Sequence, residues 1–232
     1  AERLHKIINA KGRMWIGDDS DCFEKELYSI LNSTDQFAIF VADNASHISY
    51  TGNRIDRSQS LEIRQKRRYE EIDRTFGTIM QGLKNLDLIN DTVVIAYGDH
   101  GEEFWTHGLH EGYTHAIEPF HNMIHCPLYI KGVCEWEEND MLDSIISTED
   151  IYQITLRMLG IEQCCNSAKR KYAFARNLYG NQVNRAFVFG KAYAVTNGEY
   201  LLMVSNRGLS LYNNCLDPDN HCNLLNFYTL NE

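Results

Sequence analysis

The sequence lacks the features that mark several classes of protein. It contains only 3 Pro in 232 residues and no Gly/Ser tract, so no flexible linker divides it. No apolar run approaches the roughly 18 residues that a membrane span requires. Lys and Arg total 22 against 32 Asp and Glu, which gives a net charge of −10. An acidic chain lacks the basic surface that nucleic-acid phosphates require. We therefore expect neither nucleic-acid binding nor a membrane span in this chain.

The cysteines form no recognisable metal motif. Their number, 7, is odd, so at least one has no partner within the chain. No Cys-x-x-Cys pair predicts a structural zinc site. Cys215 and Cys222 flank a turn-like segment, and their spacing leaves two interpretations open. They either form a disulfide or are two small buried side chains.

Hydrophobic periodicity predicts alternating helices and strands. Residues 21–31 and 60–85 are expected to be helices, the second with an apolar buried face. Continuous apolar runs at 37–42, 93–97 and 127–130 predict buried strands. The second helix also carries a basic cluster, which we expect to be a solvated face: Arg64, Lys66, Arg67 and Arg68.

The last third of the chain changes in character. Ser147 and Asp150 have the spacing of a capping box, and the helix that follows is expected to end at Gly160. Beyond it, Asn197-Gly198 predicts a hairpin turn between short apolar segments. Such a pattern is typical of a small antiparallel meander.

Together these patterns predict an α/β fold. We expect a partial doubly wound, mainly parallel sheet flanked by helices, with a small C-terminal antiparallel meander. The predicted domains are residues 1–180, the α/β part, and residues 181–232, the antiparallel subdomain.

Histidine is concentrated where the strand at 93–97 ends. Six of the 9 histidines lie in one 26-residue window that opens beside Asp99. Ligands of open α/β sheets bind at the carboxyl ends of strands. The carboxylate of Asp99 and the imidazole of His100 suit zinc or manganese better than an all-oxygen calcium site, although calcium stays open. His47 also follows a predicted strand, so it can approach the same sheet edge. For His110, His121 and His125 a structural or surface role is expected.

Several segments resemble the sulfatase family of the alkaline phosphatase superfamily. The segment 91–104, with Gly98-Asp99-His100-Gly101-Glu102 at its centre, resembles the second metal motif of that family. Thr106-His107-Gly108-Leu109 resembles the family's Glu-His-Gly-Leu. The segments 147–161 and 211–224 resemble later motifs, and the segment 37–50 places His47 on a substrate-side histidine. All of these belong to the C-terminal portion of the family's catalytic domain.

The resemblance implies metal-dependent cleavage of a sulfate ester. Asp99 and His100 would be ligands of a divalent metal ion, Ca, Zn or Mn. His47 and His115, and with weaker support His107, would contact the sulfuryl or phosphoryl oxygens or protonate the leaving group. The resemblance also suggests an extracytoplasmic or lysosomal setting.

The family's nucleophile motif, Cys/Ser-x-Pro-x-Arg, is absent from this sequence. Two residues before its prolines stand Ile117, His125 and Leu216, and none of these can serve as the nucleophile. The expected partners are therefore a sulfate or phosphate ester and the missing N-terminal half of the domain or a partner chain. The isolated chain is expected not to turn over substrate.

Two alternatives remain open on the sequence. The same residues suit a phosphoethanolamine or phosphoglycerol transferase, or a phosphodiesterase, which a Thr nucleophile would distinguish. A non-catalytic remnant that acts as a binding or structural module is the other alternative. Thr106, where the family has Glu, and the Thr114-His115-Ala116 turn leave room for it.

Overall fold

The structure is a computed structural model in which part of the chain is described. The described residues are 27–32, 37–43, 46, 58–104, 106–107, 113–114, 118–132, 145–160, 170–177 and 191–227. The chain divides into two units, Ala1–Thr92 and Val93–Glu232.

Helix α1, Leu61–Asn85, is the principal element of the first unit. Its N-terminus is capped by Ser60, whose hydroxyl accepts a hydrogen bond from the Ile63 N–H at 3.4 Å. Residues 27–31 are also helical, and their leucines pack beside Gly82, where an added Cβ would lie 3.4 Å from Leu31 Cδ1. The prediction of a helix at 60–85 is confirmed, and so is the described end of the helix predicted at 21–31.

The prediction that the basic cluster of α1 is solvated is wrong at one residue. Arg68 is only 2% exposed, and its guanidinium pairs with Glu71 three residues further on. A neutralising partner one helical turn away reduces the cost of burying the charge. Gln65 is buried beside it and donates to the Tyr69 hydroxyl at 2.9 Å. The polar half of α1 therefore contributes buried contacts, whereas Lys66 and Arg67 are exposed.

The predicted buried strand at residues 37–42 is not observed. These residues belong to no helix or strand, and their exposure alternates between half-buried and exposed. No described strand pairs with them. An apolar run becomes a buried strand only when neighbouring strands cover it, which explains why composition alone was insufficient here.

The second unit begins with two small antiparallel ladders. Strand β1, Val94–Tyr97, pairs with β4, Leu128–Lys131. Strand β2, Glu103–Phe104, pairs with β3, Tyr113–Thr114. The one-turn helix α2, His121–Ile124, precedes β4.

Every ladder between described strands is antiparallel, whereas the sequence predicted mainly parallel neighbours. A parallel pair requires a crossover that returns the chain to the same end of the sheet. Between β1 and β4 the chain instead reverses direction, and the Gly98 N–H bonds to the Pro127 carbonyl at 3.1 Å, next to the last pair of the ladder.

Helix α3, Ile151–Met158, lies within the predicted helix and is preceded by a 3-10 turn at Thr148–Asp150, where the sequence predicted the helix to begin. A capping box precedes it, because the Ser147 N–H donates to Asp150 Oδ2 at 2.8 Å and the Ser147 hydroxyl accepts from the Glu149 N–H. After the helix, Gly160 adopts φ +65°, a conformation that favours glycine and ends the helix. Both signals are confirmed.

The C-terminal meander is also confirmed. Its strands pair antiparallel in chain order and are β5, Ala173–Asn177; β6, Ala192–Thr196; β7, Tyr200–Ser205; and β8, Gly208–Asn213. Asn197 and Gly198 form the predicted hairpin turn, with Gly198 at φ +90°. Strand β5 belongs to this sheet although it precedes residue 181, where the subdomain is expected to begin. The two-domain division itself stays a prediction.

One face of the meander covers a hydrophobic core. The core joins the sheet to α2 and to the residue before it, and its buried members are Phe120, Met123, Ala194, Leu201, Met203 and Tyr212. Cys215 and Cys222, which follow β8, are exposed free thiols. Neither interpretation of these cysteines is therefore observed, since they are neither bridged nor buried. Among the described helices, none combines the length and the apolar character that crossing a membrane would need.

The meander offers a matched test of the core. Leu201 is 0% exposed, whereas its neighbour Leu202 is 36% exposed. Leu201→Ala is expected to lower the free energy of unfolding by roughly 2–5 kcal/mol, because it leaves a cavity. Leu202→Ala is expected to cost less than half as much. Urea denaturation of both variants measures this, and equal losses would show that the core lies elsewhere.

Candidate functional site

Asp99 and His100 follow β1 on a loop that runs against α2. The Gly101 N–H donates to the Met123 carbonyl at 2.8 Å. A Cβ on Gly101 would overlap the Asn122 carbonyl oxygen, so only glycine fits this close approach. The Gly-Asp-His-Gly segment is thus held against the backbone of α2.

The two side chains of this segment face one another. His100 Nδ1 lies 2.8 Å from the Gly101 carbonyl oxygen, and since a carbonyl only accepts, Nδ1 carries a proton. The other ring nitrogen, Nε2, lies 3.7 Å from Asp99 Oδ2. Asp99 is 86% exposed, and its Oδ1 accepts from the His100 N–H at 3.0 Å. One carboxylate oxygen and one imidazole nitrogen are therefore directed toward the same side.

This pair fits part of a divalent metal site. Metal-ligating histidines usually donate their second ring N–H to a backbone carbonyl, as His100 does to Gly101. However, no group of three or more His, Cys, Asp or Glu side chains within the described ranges could hold a metal ion. Within the described residues, Asp99 and His100 are thus a pair of side chains of the types that ligate metals.

Glu103 and His107 form a second polar centre. Glu103 is 0% exposed. Its Oε1 accepts from the His107 backbone N–H at 2.7 Å, and its Oε2 lies 2.8 Å from His107 Nδ1. The Asn122 side-chain amide also donates to Oε2, at 3.4 Å. One buried carboxylate therefore connects β2, the turn at residue 107 and α2.

The surroundings of Glu103 favour its ionised form. Burial raises the pKa of this carboxyl. The hydrogen bonds from the His107 side chain and backbone, the charge of His107 and the hydrogen bond from the Asn122 amide together lower the pKa by more than burial raises it. The net result is a pKa below the ordinary value. A buried carboxylate with several donors is stable as an anion only while those donors stay in place.

The His107 ring packs against two other aromatic rings. It stacks on Phe120 with ring centroids 3.6 Å apart and planes 9° from parallel. The His221 ring approaches at 5.4 Å, edge to face. The remaining ring nitrogen, Nε2, is buried and has no hydrogen-bond partner in the part of the chain that is described.

A loop after β8 fastens this centre to the C-terminal sheet. The His121 N–H donates to Asn220 Oδ1 at 2.7 Å, and His221 Nε2 lies 2.7 Å from the Thr106 carbonyl oxygen. Asn220 is buried with φ +54°, a conformation that asparagine tolerates. Glu118, also buried, lies 3.4 Å from the exposed guanidinium of Arg207.

The remaining described histidines of the window lie on α2 and just after it. His121 and His125 stack with centroids 4.7 Å apart, as expected for residues four apart in a helical turn. Burial and the nearby charge of His125 lower the pKa of His121. Burial and the charge of Asp99 raise the pKa of the Cys126 thiol, which makes it a poor nucleophile.

The sequence-predicted site residues are thus divided. Asp99 and His100 lie together, and His107 lies with Glu103. His47 and His115 are outside the described residues, as is His110. The partners of His107, namely Glu103 and Phe120, were not predicted, and neither was the Asn122 amide that donates to Glu103. The four-residue spacing of Glu103 and His107 was the one available signal.

Comparison with curated proteins identifies related sequences over about half of the chain. Mouse arylsulfatase K is 30% identical over 118 residues, which are 49% of this chain and 20% of that protein. Dog arylsulfatase K is 29% identical over 117 residues, 48% of this chain and 21% of that protein. The matched segment therefore spans about a fifth of these relatives. No protein-family profile matches the chain.

Solved structures show the same fold over more of the chain. A sulfatase from Bacteroides thetaiotaomicron, from work on glycosaminoglycan metabolism, superposes with a TM-score of 0.61 at 17% identity. The superposition covers 88% of this chain and 54% of the Bacteroides thetaiotaomicron chain. A Bacteroides fragilis protein assigned to the sulfatases gives a TM-score of 0.62 at 17% identity, with the same coverage. At this identity the likeness establishes the fold, and the predicted α/β class is confirmed.

The lowered pKa of Glu103 predicts a specific acid dependence of stability. The ionised form contributes stability that is fully present above the ordinary value of 4.5 and is lost as the pH falls through the lower folded pKa. Glu103→Gln is expected to cost roughly 1–3 kcal/mol at neutral pH. The difference from the unmodified chain should shrink below the ordinary pKa.

Urea denaturation at several pH values measures this difference. Glu70→Gln, which replaces an exposed carboxylate on α1, is the matched control and should change little at any pH. A Glu103→Gln penalty that stays constant down to strongly acidic pH would contradict the assignment.

Proposed function

We propose that this chain, which belongs to the sulfatase family over the segment that matches its relatives, is the C-terminal portion of a metal-dependent sulfate-ester hydrolase. The observation that carries the proposal is the end of β1. There Asp99 and His100 direct an oxygen and a nitrogen toward each other, 3.7 Å apart, in a chain with the fold of sulfatases.

In this proposal Asp99 and His100 bind a divalent cation, Ca, Zn or Mn. The Gly101 carbonyl keeps the His100 proton on Nδ1, which leaves Nε2 as the ligating atom. The exposure of Asp99 keeps its carboxylate accessible to an ion and a substrate. A bound cation would polarise the ester oxygens and stabilise an ionised nucleophile.

Histidines supply the other contacts to substrate. We assign His47, His115 and His107 to the sulfuryl oxygens or the leaving group, because an imidazole ring can donate or accept a proton there. For His107, the support is its geometry. Glu103 occupies Nδ1, so Nε2 is the ring atom left for a ligand oxygen.

The nucleophile is proposed to come from sequence outside this chain. No Cys/Ser-x-Pro-x-Arg motif occurs in it. Asp99 and His100 are the two metal ligands that we assign to the described residues. The N-terminal half of the catalytic domain, in the same polypeptide or in a partner chain, would supply the nucleophile and the other ligands. An extracytoplasmic or lysosomal setting belongs to the same proposal.

Metal binding tests the first part of the proposal. The chain should bind Mn²⁺ weakly in isothermal titration calorimetry. Asp99→Asn or His100→Ala should weaken binding by at least the roughly 10–100-fold that loss of an outer-shell partner costs. Asp91→Asn, which alters an exposed aspartate near the other end of β1, should leave the affinity unchanged. Equal affinities in all variants would overturn the assignment of these two ligands.

Turnover tests the second part. The first step is to measure the mass of the native polypeptide and to determine the sequence upstream of Ala1. A longer polypeptide with the nucleophile motif should hydrolyse an aryl sulfate faster than the matching phosphate ester. Asp99→Asn should lower its kcat/KM by about 100-fold or more, since it removes charge stabilisation of the transition state. Hydrolysis by the 232-residue chain alone, abolished by Asp99→Asn, would contradict the proposed division of the site.

A further inference from the structure

We propose that Glu103 is a positioning residue that keeps a proton on His107 Nδ1, so that His107 interacts with a ligand only through Nε2. This inference rests on the proposed function, which places His107 among the groups that contact sulfuryl oxygens. Glu103 itself touches no substrate in this scheme.

The hydrogen bonds of Glu103 fix the position of the proton. Both carboxylate oxygens act as acceptors, for the His107 backbone N–H at 2.7 Å and for the Asn122 amide at 3.4 Å. An ionised carboxylate has no proton to give, so the 2.8 Å contact between Oε2 and His107 Nδ1 requires a proton on Nδ1. The Nδ1–H tautomer and the imidazolium are therefore favoured over the Nε2–H tautomer.

Packing and burial disfavour a flip of the His107 ring. A half-turn of the imidazole about its bond to Cβ would replace Nδ1 by a C–H group in front of Glu103. The carboxylate is 0% exposed, so no water would replace the lost hydrogen bond. Phe120, stacked at 3.6 Å, and His221, edge-on at 5.4 Å, also contact the ring.

The orientation has a chemical consequence at Nε2. This atom is buried and has no hydrogen-bond partner among the described residues, although it is the one ring nitrogen that Glu103 does not hold. A buried polar atom without a partner is costly. A sulfuryl or leaving-group oxygen would satisfy it, since the imidazolium donates from Nε2 and the neutral ring accepts there. The same carboxylate–histidine arrangement sets ring orientation in hydrolases that use histidine as acid or base.

Nitrogen-15 NMR of the full chain, with labelled histidine, tests the assignment directly. At slightly alkaline pH the His107 Nδ1 signal is expected to be that of a protonated nitrogen. The Nδ1–H form should exceed the Nε2–H form by on the order of tenfold or more, as a hydrogen bond to a charged acceptor implies. A pyridine-type signal at Nδ1 in the unmodified chain would overturn the proposal.

Two variants separate positioning from mere folding. In Glu103→Gln the side-chain amide can donate, so the pyridine-type signal should move to Nδ1. Glu102→Gln, at the neighbouring buried carboxylate, should leave the His107 pattern unchanged. If Glu103→Gln does not fold, the spectrum of the unmodified chain still decides. The measurement needs neither metal nor substrate, so it can fail while Asp99 and His100 still bind Mn²⁺, and the reverse is equally possible.

Discussion

The buried carboxylate of Glu103 is the interaction on which the rest of the site segment depends. An ionised group without contact to water is stable only when donors surround it, and here His107 and Asn122 provide them. Those donors come from the turn at residue 107 and from α2, so one charge holds three pieces of backbone together. Phe120, stacked on His107, extends the contact to Tyr212 and thereby to the core beneath the C-terminal meander. A polar centre and an apolar core thus support each other.

Much of the local structure could be predicted because it follows from short-range signals. Helix α1 begins and ends within one residue of the predicted bounds, and the capping box at Ser147 and the hairpin at Asn197-Gly198 form as expected. Strand direction was not predictable, since apolar runs do not encode which neighbour they pair with or in which sense. The burial of Arg68 depends on Glu71 and on the packing around α1, which the periodicity of charges does not report.

The candidate site was predictable only in part. A strand that ends in Gly-Asp-His-Gly locates Asp99 and His100, because strand ends and ligand chemistry are both visible in sequence. The role of Glu103 could not be predicted from the sequence. It depends on the complete burial of the side chain and on its hydrogen bond with Asn122, which lies 19 residues further along the chain. The strict need for Gly101 has the same origin, namely the close approach of the α2 backbone. Such requirements become evident only when the packing of separate segments is known.

The loop after β8 also bears on the order in which the site can form. The bond between Thr106 and His221 joins residues 115 positions apart, and that between His121 and Asn220 joins residues 99 apart. The Glu103–His107 pair, by contrast, spans only four positions and can assemble early. During synthesis the segment that carries Asp99 and His107 leaves the ribosome long before its anchor does. The site therefore reaches its final position only after the loop that carries Asn220 and His221 has been made.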